Sequence, residues 1–575
     1  MRLLILQRLI AAGLVFIWGG LFTMQVVQGP RFRRQAENNR VRLIHLPAAR
    51  GAILDRHGVP LVEDRVSFEL AIFPQDLKVP RDTWAGLQPI VGVAPDDLAG
   101  RYRRGYQGPF APVPLIREIP AQTAFLLEEK KTELPGTLVR PVPRRRYLLG
   151  SASGPVSGYI GLIAQEELTH LKPYGYTYRD FVGKDGLEQF YDRYLRGRDG
   201  GIQVEVDNRG RLVRQIGFLQ PQRGRRITIS LDGRLQGFCQ HLLEEAGVAG
   251  AVVVMDPVNG EILALASAPT YDPNVFIDPS RDSEISRMLH GAGRPMFNRA
   301  IRAAVPPGST FKVAIAYEAL KSQKIRPDTA FVCPGFFQLG SSRFHCWKQD
   351  GHGSQTVADA LEHSCNVFFY QTGRRLGVEE IMQAAHLFGL GRATGIDLPR
   401  ESNGFVPDPA WMKAVSKQSW QEGDTLSFAI GQSALQTTPL QMLLLMTAIA
   451  MDGQVPQPHL LIEIEGEKKP PALRRAHLPM NVHAVAAVKV GLEQVVNSPT
   501  GTGRLAQMPG VRVAGKTGTA QVPRGLAHAW FCGYAPADHP KISLVVFLEH
   551  GGKGGFQAAL VARDVLAYLR ELEYL

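Results

Sequence analysis

Hydrophobic and polar positions divide the chain into stretches of different rhythm. From Leu9 to Pro30 no residue is charged, and Leu9–Val27 is almost wholly apolar, with Arg2 and Arg8 ahead of it. About 20 apolar residues in a helix span a bilayer, so this stretch predicts a membrane helix. Gln25-Val26-Val27-Gln28-Gly29 at its end is not a small-x-small cleavage site, which predicts an uncleaved anchor. Beyond it the apolar positions are broken up by turn residues. Val66–Phe73 alternates as a strand closed by Pro74, and Leu134–Pro155, rich in Pro, Gly and Arg, reads as connector. From Ile227 the rhythm tightens. Ile227–Asp232 predicts a strand, Gln236–Glu245 a helix, and Gly250–Asp256 with Glu261–Ser267 a strand pair around a Pro257-Val258-Asn259-Gly260 turn. Ile542–Glu549 is a further strand and Phe556–Tyr574 a helix with one apolar face. Strands at both ends with helices between predict one antiparallel sheet covered by helices, an α+β multidomain protein.

Composition changes this picture little. A chain of 575 residues has room for roughly two to four domains. Its 45% hydrophobic and 21% charged residues are globular values. The formal net charge of +12 is compatible with nucleic acid, but no zinc-finger, helix-turn-helix or RNA-binding signature accompanies it. A basic surface facing anionic lipid or wall polymer accounts for it equally, and Arg144, Arg145 and Arg146 read as solvated.

Three short motifs follow in a fixed order: Ser309-Thr310-Phe311-Lys312, Ser364-Cys365-Asn366 and Lys516-Thr517-Gly518-Thr519. Any one alone is noise. Together they spell the S-x-x-K, S-x-N, K-T-G set of active-site serine acyltransferases. Side chains three residues apart on a helix share a face, so the Ser309 hydroxyl and Lys312 amine can meet if a helix starts there. Pro306-Pro307-Gly308 ends what precedes, and Val313–Leu320 continues as a helix former. A serine needs an adjacent base, and a lysine is one only if burial or nearby cations keep its amine neutral. Lys516 could supply such a cation from a neighbouring strand. Gly510, Gly515, Lys516 and Thr517 also match the phosphate-binding loop, which needs a glycine-rich turn and a following helix. Val511–Val522 instead reads as a strand through the motif, with Pro523 soon after.

With these motifs in place, almost the whole chain resembles the class B penicillin-binding proteins of the penicillin-binding protein 2, or elongation, type. The marks are Arg50-Gly51 with Asp55-Arg56 and Gly58, Gly186-Leu187-Glu188, Pro307-Gly308 before Ser309, and Gly351-His352-Gly353. Gly423-Asp424-Thr425, Gln436-Thr437-Thr438-Pro439-Leu440-Gln441 and His528-Ala529-Trp530-Phe531 complete them. The resemblance implies an inner-membrane anchor (1–30), an elongated non-catalytic pedestal (31–226) and a periplasmic, β-lactamase-like transpeptidase domain (227–575). It implies peptidoglycan stem peptides as substrates, β-lactams as ligands, and a RodA-like SEDS glycosyltransferase with the elongation machinery as partners. Ser309 is then the nucleophile, Lys312 its base, Ser364 a proton relay, and Asn366 the holder of the donor amide. Lys516, Thr517 and Thr519, around Gly518, bind the terminal carboxylate, and the N–H groups of Ser309 and Thr519 form an oxyanion hole. One departure is Gly431-Gln432-Ser433, where the family usually carries a second glycine; it alters a loop and removes no catalytic group.

Cys239 and Cys532 sit among apolar or small residues and read as buried thiols. Cys333, Cys346, His352 and Cys365 surround the middle motif at intervals of 13, 6 and 13 residues. Three cysteines and a histidine make an acceptable closed tetrahedral zinc set, with His345 and Asp350 as spare ligands, and the resemblance implies zinc at these positions. A Cys333–Cys346 disulfide is the alternative. Among rival functions, a β-lactamase would want a deacylating glutamate in an E-x-x-L-N loop, which is absent. A D,D-carboxypeptidase would pass the acyl group to water, and a scaffold would activate a glycosyltransferase through the pedestal.

Overall fold

The apolar N-terminal run forms one helix, Arg2–Phe22, continued by a π-turn to Val27, and Leu3–Val27 is long and apolar enough to cross a membrane. The computed structural model describes residues 2–31, 41–106, 108, 112–176, 180–206, 212–278, 281–467 and 475–575. They form two compact units. One comprises Met1–Gly51, Asp64–Arg144 and Arg196–Gly224, the other Ala52–Glu63, Arg145–Leu195 and Arg225–Leu575. The first holds a three-stranded antiparallel sheet of Val41–Leu46, Gly200–Val206 and Leu212–Leu219, and a small core around Leu70, Trp84, Leu87, Leu98 and Leu115.

The segment Arg145–Leu195, counted from sequence with the pedestal, packs with the second unit. A fully buried ion pair ties the segment to itself: Arg145 Nε donates to Glu188 Oε1 at 2.6 Å, and the Tyr147 hydroxyl donates to the same oxygen at 3.4 Å. Arg145 is therefore not solvated surface. Removing either partner would strand a buried charge. The connector expected over Leu134–Pro155 is largely a strand, Thr137–Tyr147. Pro141 and Pro143 point to a break, but among the described residues this strand pairs along one side only, where prolines are tolerated.

The second unit is built on a five-stranded antiparallel sheet, ordered Ile262–Ala268, Gly250–Met255, Ile542–Leu548, His528–Ala535 and Ala514–Ala520. Alternate side chains enter opposite cores. Val253, Trp530, Cys532 and Phe547 share one core with the helices Lys312–Lys321 and Pro439–Ala450. Val252, Phe531 and Val546 share the other with Gly233–Glu245 and Gln557–Glu571. Both faces are covered, so these strands read as unbroken apolar runs. The third motif lies on the edge strand, leaving one side of its backbone open to a ligand.

Candidate active site

The first motif begins in a 3-10 turn, Gly308–Phe311, that the helix Lys312–Lys321 continues. Residues three apart eclipse in such a turn, so Ser309 and Lys312 share a side. Gly308, at φ +55°, donates its N–H to Gly431 O at 2.9 Å, and a Cβ on it would lie 2.8 Å from Thr519 O. Gly431, at φ +72°, is as closely pressed: a Cβ there would sit 2.1 Å from Gly308 O. Only glycine fits both places, and the nucleophile's turn is thereby held against the third motif.

Ser309 is half-buried, and its hydroxyl makes no hydrogen bond to another described residue. Lys312 is fully buried and turned to the middle motif: its amine donates to Asn366 Oδ1 at 2.7 Å, Ser364 O at 2.9 Å and Ser364 Oγ at 3.3 Å. Burial lowers its pKa to about 8, against an opposing pull from the Cys365 and Cys346 thiols. Burial, and not the cation expected from Lys516, does this. Lys516 is itself buried and pushed well below the lysine range, by desolvation first and by Lys312 second, and its amine donates to Thr517 O at 3.0 Å.

Ser364 stands at φ +51°, a left-handed conformation that costs about 1–2 kcal/mol for a residue with a Cβ. Such strain persists where surroundings over-determine it. The Cys365 N–H donates to Ala360 O at 2.9 Å, and Trp347 Nε1 to His363 O at 3.0 Å. Asn366 Nδ2 and the Tyr370 hydroxyl both donate to His345 O, at 3.4 and 3.3 Å. No motif pointed to Trp347 or Tyr370.

Lys516, Thr517, Gly518 and Thr519 pair with Cys532, Phe531, Trp530 and Ala529. The strand runs through the motif and the next element is again a strand, which excludes the phosphate loop. Gly518 is required because a Cβ would meet Pro307 O at 2.8 Å and Thr310 Cγ2 at 2.9 Å. Alternation sends Lys516 to one face and the two threonines to the other. The Thr517 hydroxyl bonds to that of Thr502 at 3.1 Å, and exposed Thr519 accepts from the Gly554 N–H at 3.2 Å. Gln432, which the sequence reading passed over, donates from Nε2 to Thr519 O at 3.3 Å. Its neighbour Ser433 adopts φ +68°, which is why a glycine suits that place.

Cys333 ends the strand Phe331–Cys333, Cys346 follows Ser342–His345, and His352 precedes Gly353–Gln355. Their ligand atoms and that of Cys365 all lie within 4.8 Å of one another. Sγ of Cys346 and of Cys333 stand 3.5 and 3.6 Å from His352 Nδ1. Tetrahedral zinc, with Zn–S about 2.3 Å and Zn–N about 2.0–2.1 Å, places sulfur and nitrogen about 3.6 Å apart. The residues fit the ion. All the cysteines are free thiols, so the disulfide alternative is not formed. His345 and Asp350 are exposed and outside the cluster.

The family profile described as the penicillin binding protein transpeptidase domain matches residues 250–567, and that of the penicillin-binding protein dimerisation domain matches 45–229. Peptidoglycan D,D-transpeptidase MrdA of Haemophilus influenzae is 34% identical over 97% of this chain and 90% of its own. The chain belongs to the class B penicillin-binding proteins, of the penicillin-binding protein 2 type. The Escherichia coli protein of the same name is 33% identical over 96% of this chain and 90% of its own. Penicillin-binding protein 2 of Helicobacter pylori, solved in complex with MreC, aligns with a TM-score of 0.81 at 29% identity, covering 93% of this chain and all of that one.

Proposed function

We propose that this penicillin-binding protein 2 cross-links peptidoglycan stem peptides during wall elongation through an acyl-enzyme on Ser309. One observation carries the residue assignment. The buried Lys312 amine, one turn from Ser309, is hydrogen-bonded to both Ser364 and Asn366.

Ser309 Oγ attacks the carbonyl carbon of the penultimate D-alanine while its proton passes to Lys312 Nζ. The N–H groups of Ser309 and Thr519 take the developing oxyanion; one such donor contributes about 3 kcal/mol. The C–N bond to the terminal D-alanine breaks as Ser364 relays the proton from Lys312 to the leaving amine. An amine from a neighbouring stem peptide then attacks the ester. Its surplus proton returns to Ser309 Oγ through Lys312 as the C–O bond breaks. Thr517 and Thr519 hydroxyls bind the donor's carboxylate, with Lys516 on the other side of the strand holding Thr517 O. Asn366 Nδ2 exchanges its long bond to His345 O for the donor amide. A β-lactam acylates the same serine.

Cys333, Cys346, His352 and Cys365 would hold a structural zinc, which braces the loop carrying Ser364 and Asn366. The apolar N-terminal helix supports single-pass anchoring in the cytoplasmic membrane, with the catalytic unit periplasmic. The relative solved with MreC, and another solved in a peptidoglycan synthase complex, support the elongation machinery as partner, and the family resemblance adds a RodA-like SEDS glycosyltransferase to it.

Purified full-length protein given a donor stem peptide and an acceptor should release D-alanine and cross-linked product in equal amounts. Ser309→Ala should give neither. Release of D-alanine without cross-links would assign hydrolysis instead.

A further inference from the structure

Glu362 carries a carboxylate that the mechanism above leaves unused. It ends the helix Val357–Glu362, two positions before Ser364, and its side chain is only 8% exposed. Its Oε1 accepts from the hydroxyls of Ser498 and Thr500, each at 2.5 Å, and His363 Nε2 stands 3.6 Å from the same oxygen. Its backbone carbonyl accepts from the Thr502 N–H at 3.3 Å and the Thr502 hydroxyl at 3.0 Å. One residue thus grips both ends of the 498–502 loop. The loop has little room to shift. A Cβ on Gly501 would lie 2.3 Å from Val495 O, and one on Gly555 would lie 2.3 Å from Thr502 O. A buried carboxylate is costly unless hydrogen-bonded, so the hydroxyls of Ser498 and Thr500 tie this side chain to the loop as firmly as it ties them.

From Thr502 the contact continues to the third motif through the 3.1 Å bond between the Thr502 and Thr517 hydroxyls. Hydroxyl protons turn to suit their partners. Thr502 gives its one proton to the Glu362 carbonyl and accepts from Thr517, whose own proton turns to a carboxylate when one arrives.

We propose that Glu362 is a positioning residue for recognition of the donor's carboxylate: it fixes the 498–502 loop and, through Thr502, aims the Thr517 hydroxyl. The helix that leads into the middle motif is thereby coupled to the strand that carries the third. The inference rests on the reading that Thr517 binds that carboxylate.

The test compares acylation of the full-length protein by benzylpenicillin, which carries the free carboxylate, and by its methyl ester, which does not. The quantity read is the ratio of the two rates. A lost hydrogen bond to a charged group lowers that ratio about tenfold, the result expected for Glu362→Ala, Thr502→Val and Thr517→Val alike. Glu362→Gln, whose amide oxygen still accepts both hydroxyls, should restore it. If Glu362→Ala slows both reactions in proportion, or Glu362→Gln fails to restore the ratio, Glu362 is merely structural and the inference falls. If the ratio drops in Thr517→Val but not in Glu362→Ala, the carboxylate reading stands and this inference alone fails. If Thr517→Val keeps the ratio, both are overturned. Should Glu362→Ala not fold, the Ser498→Ala/Thr500→Val double variant takes its place with the same expected fall.

Discussion

The third and middle motifs both serve the first, yet they are held by different means. Lys516-Thr517-Gly518-Thr519 is pinned by a main-chain ladder, each residue opposite one of the Ala529–Cys532 stretch. Backbone pairing is largely indifferent to the side chains around it. Ser364-Cys365-Asn366 has no ladder. It keeps a left-handed serine in place through Lys312, Trp347, Tyr370 and a cluster of thiols. The strand is robust, whereas the loop is conditional on groups that are distant in sequence. The loop is where the enzyme can be disabled without touching a reacting atom.

Lys312→Met removes the amine that the middle motif holds one turn from Ser309 and should have the largest effect. The rate of penicillin acylation should fall about 10²–10⁴-fold, the usual worth of a positioned base; a loss below about tenfold would remove Lys312 from that role. The comparison itself is sharpened by two buried cysteines, one in each region. Cys365→Ser, which breaks the thiol cluster behind Ser364 and Asn366, should slow acylation about 10–100-fold, the usual cost of losing a supporting residue behind a site. Cys532→Ser, opposite Lys516 in the ladder, should leave the rate within about twofold while lowering stability by about 1–3 kcal/mol for a buried hydroxyl without a partner. Labelling kinetics and melting curves of the two variants check this, and equal rate losses would erase the distinction.

The pH dependence has a definite sign. The Lys312 amine titrates near pH 8 in the folded protein, below the ordinary 10.5. It is protonated below that value and neutral above it, so the acylation rate should climb with pH through about 8 and then level. The unfolded chain keeps the proton up to about 10.5, so this group's contribution to stability rises with pH between about 8 and 10.5. A flat rate profile there would contradict the assignment. The smallest effect is expected at Ser433. Relieving its positive φ gains about 1–2 kcal/mol, from which glycine's extra chain entropy removes about 0.5–1. Ser433→Gly should therefore stabilise by about 0–1.5 kcal/mol, read from the urea midpoint.

The regions also differ in how far the sequence exposes them. Apolar runs such as Gly250–Met255 and Ile542–Leu548 are strands because both faces of the sheet are buried, and that signal is local. The third motif is legible as strand from the alternation of Val511, Arg512 and Val513 just before it. The orientation of Lys312 is not, because it depends on Ser364 and Asn366, more than fifty positions away. Glu188 is separated from Arg145 by a similar distance in sequence, so the arginine looked solvated. In Thr137–Tyr147 the prolines carried the stronger local signal, and only the pairing along one side shows why they fit. The thiol cluster was legible as a set of residue types, but that its four ligand atoms gather within 4.8 Å required the atoms to be placed.

The most direct test is to label the full-length protein with a penicillin, digest it and locate the adduct by mass spectrometry. A single adduct on the peptide containing Ser309, lost in Ser309→Ala, is the predicted result. An adduct on Ser364 or elsewhere, or undiminished labelling of Ser309→Ala, would contradict the claim that the three motifs converge to activate Ser309.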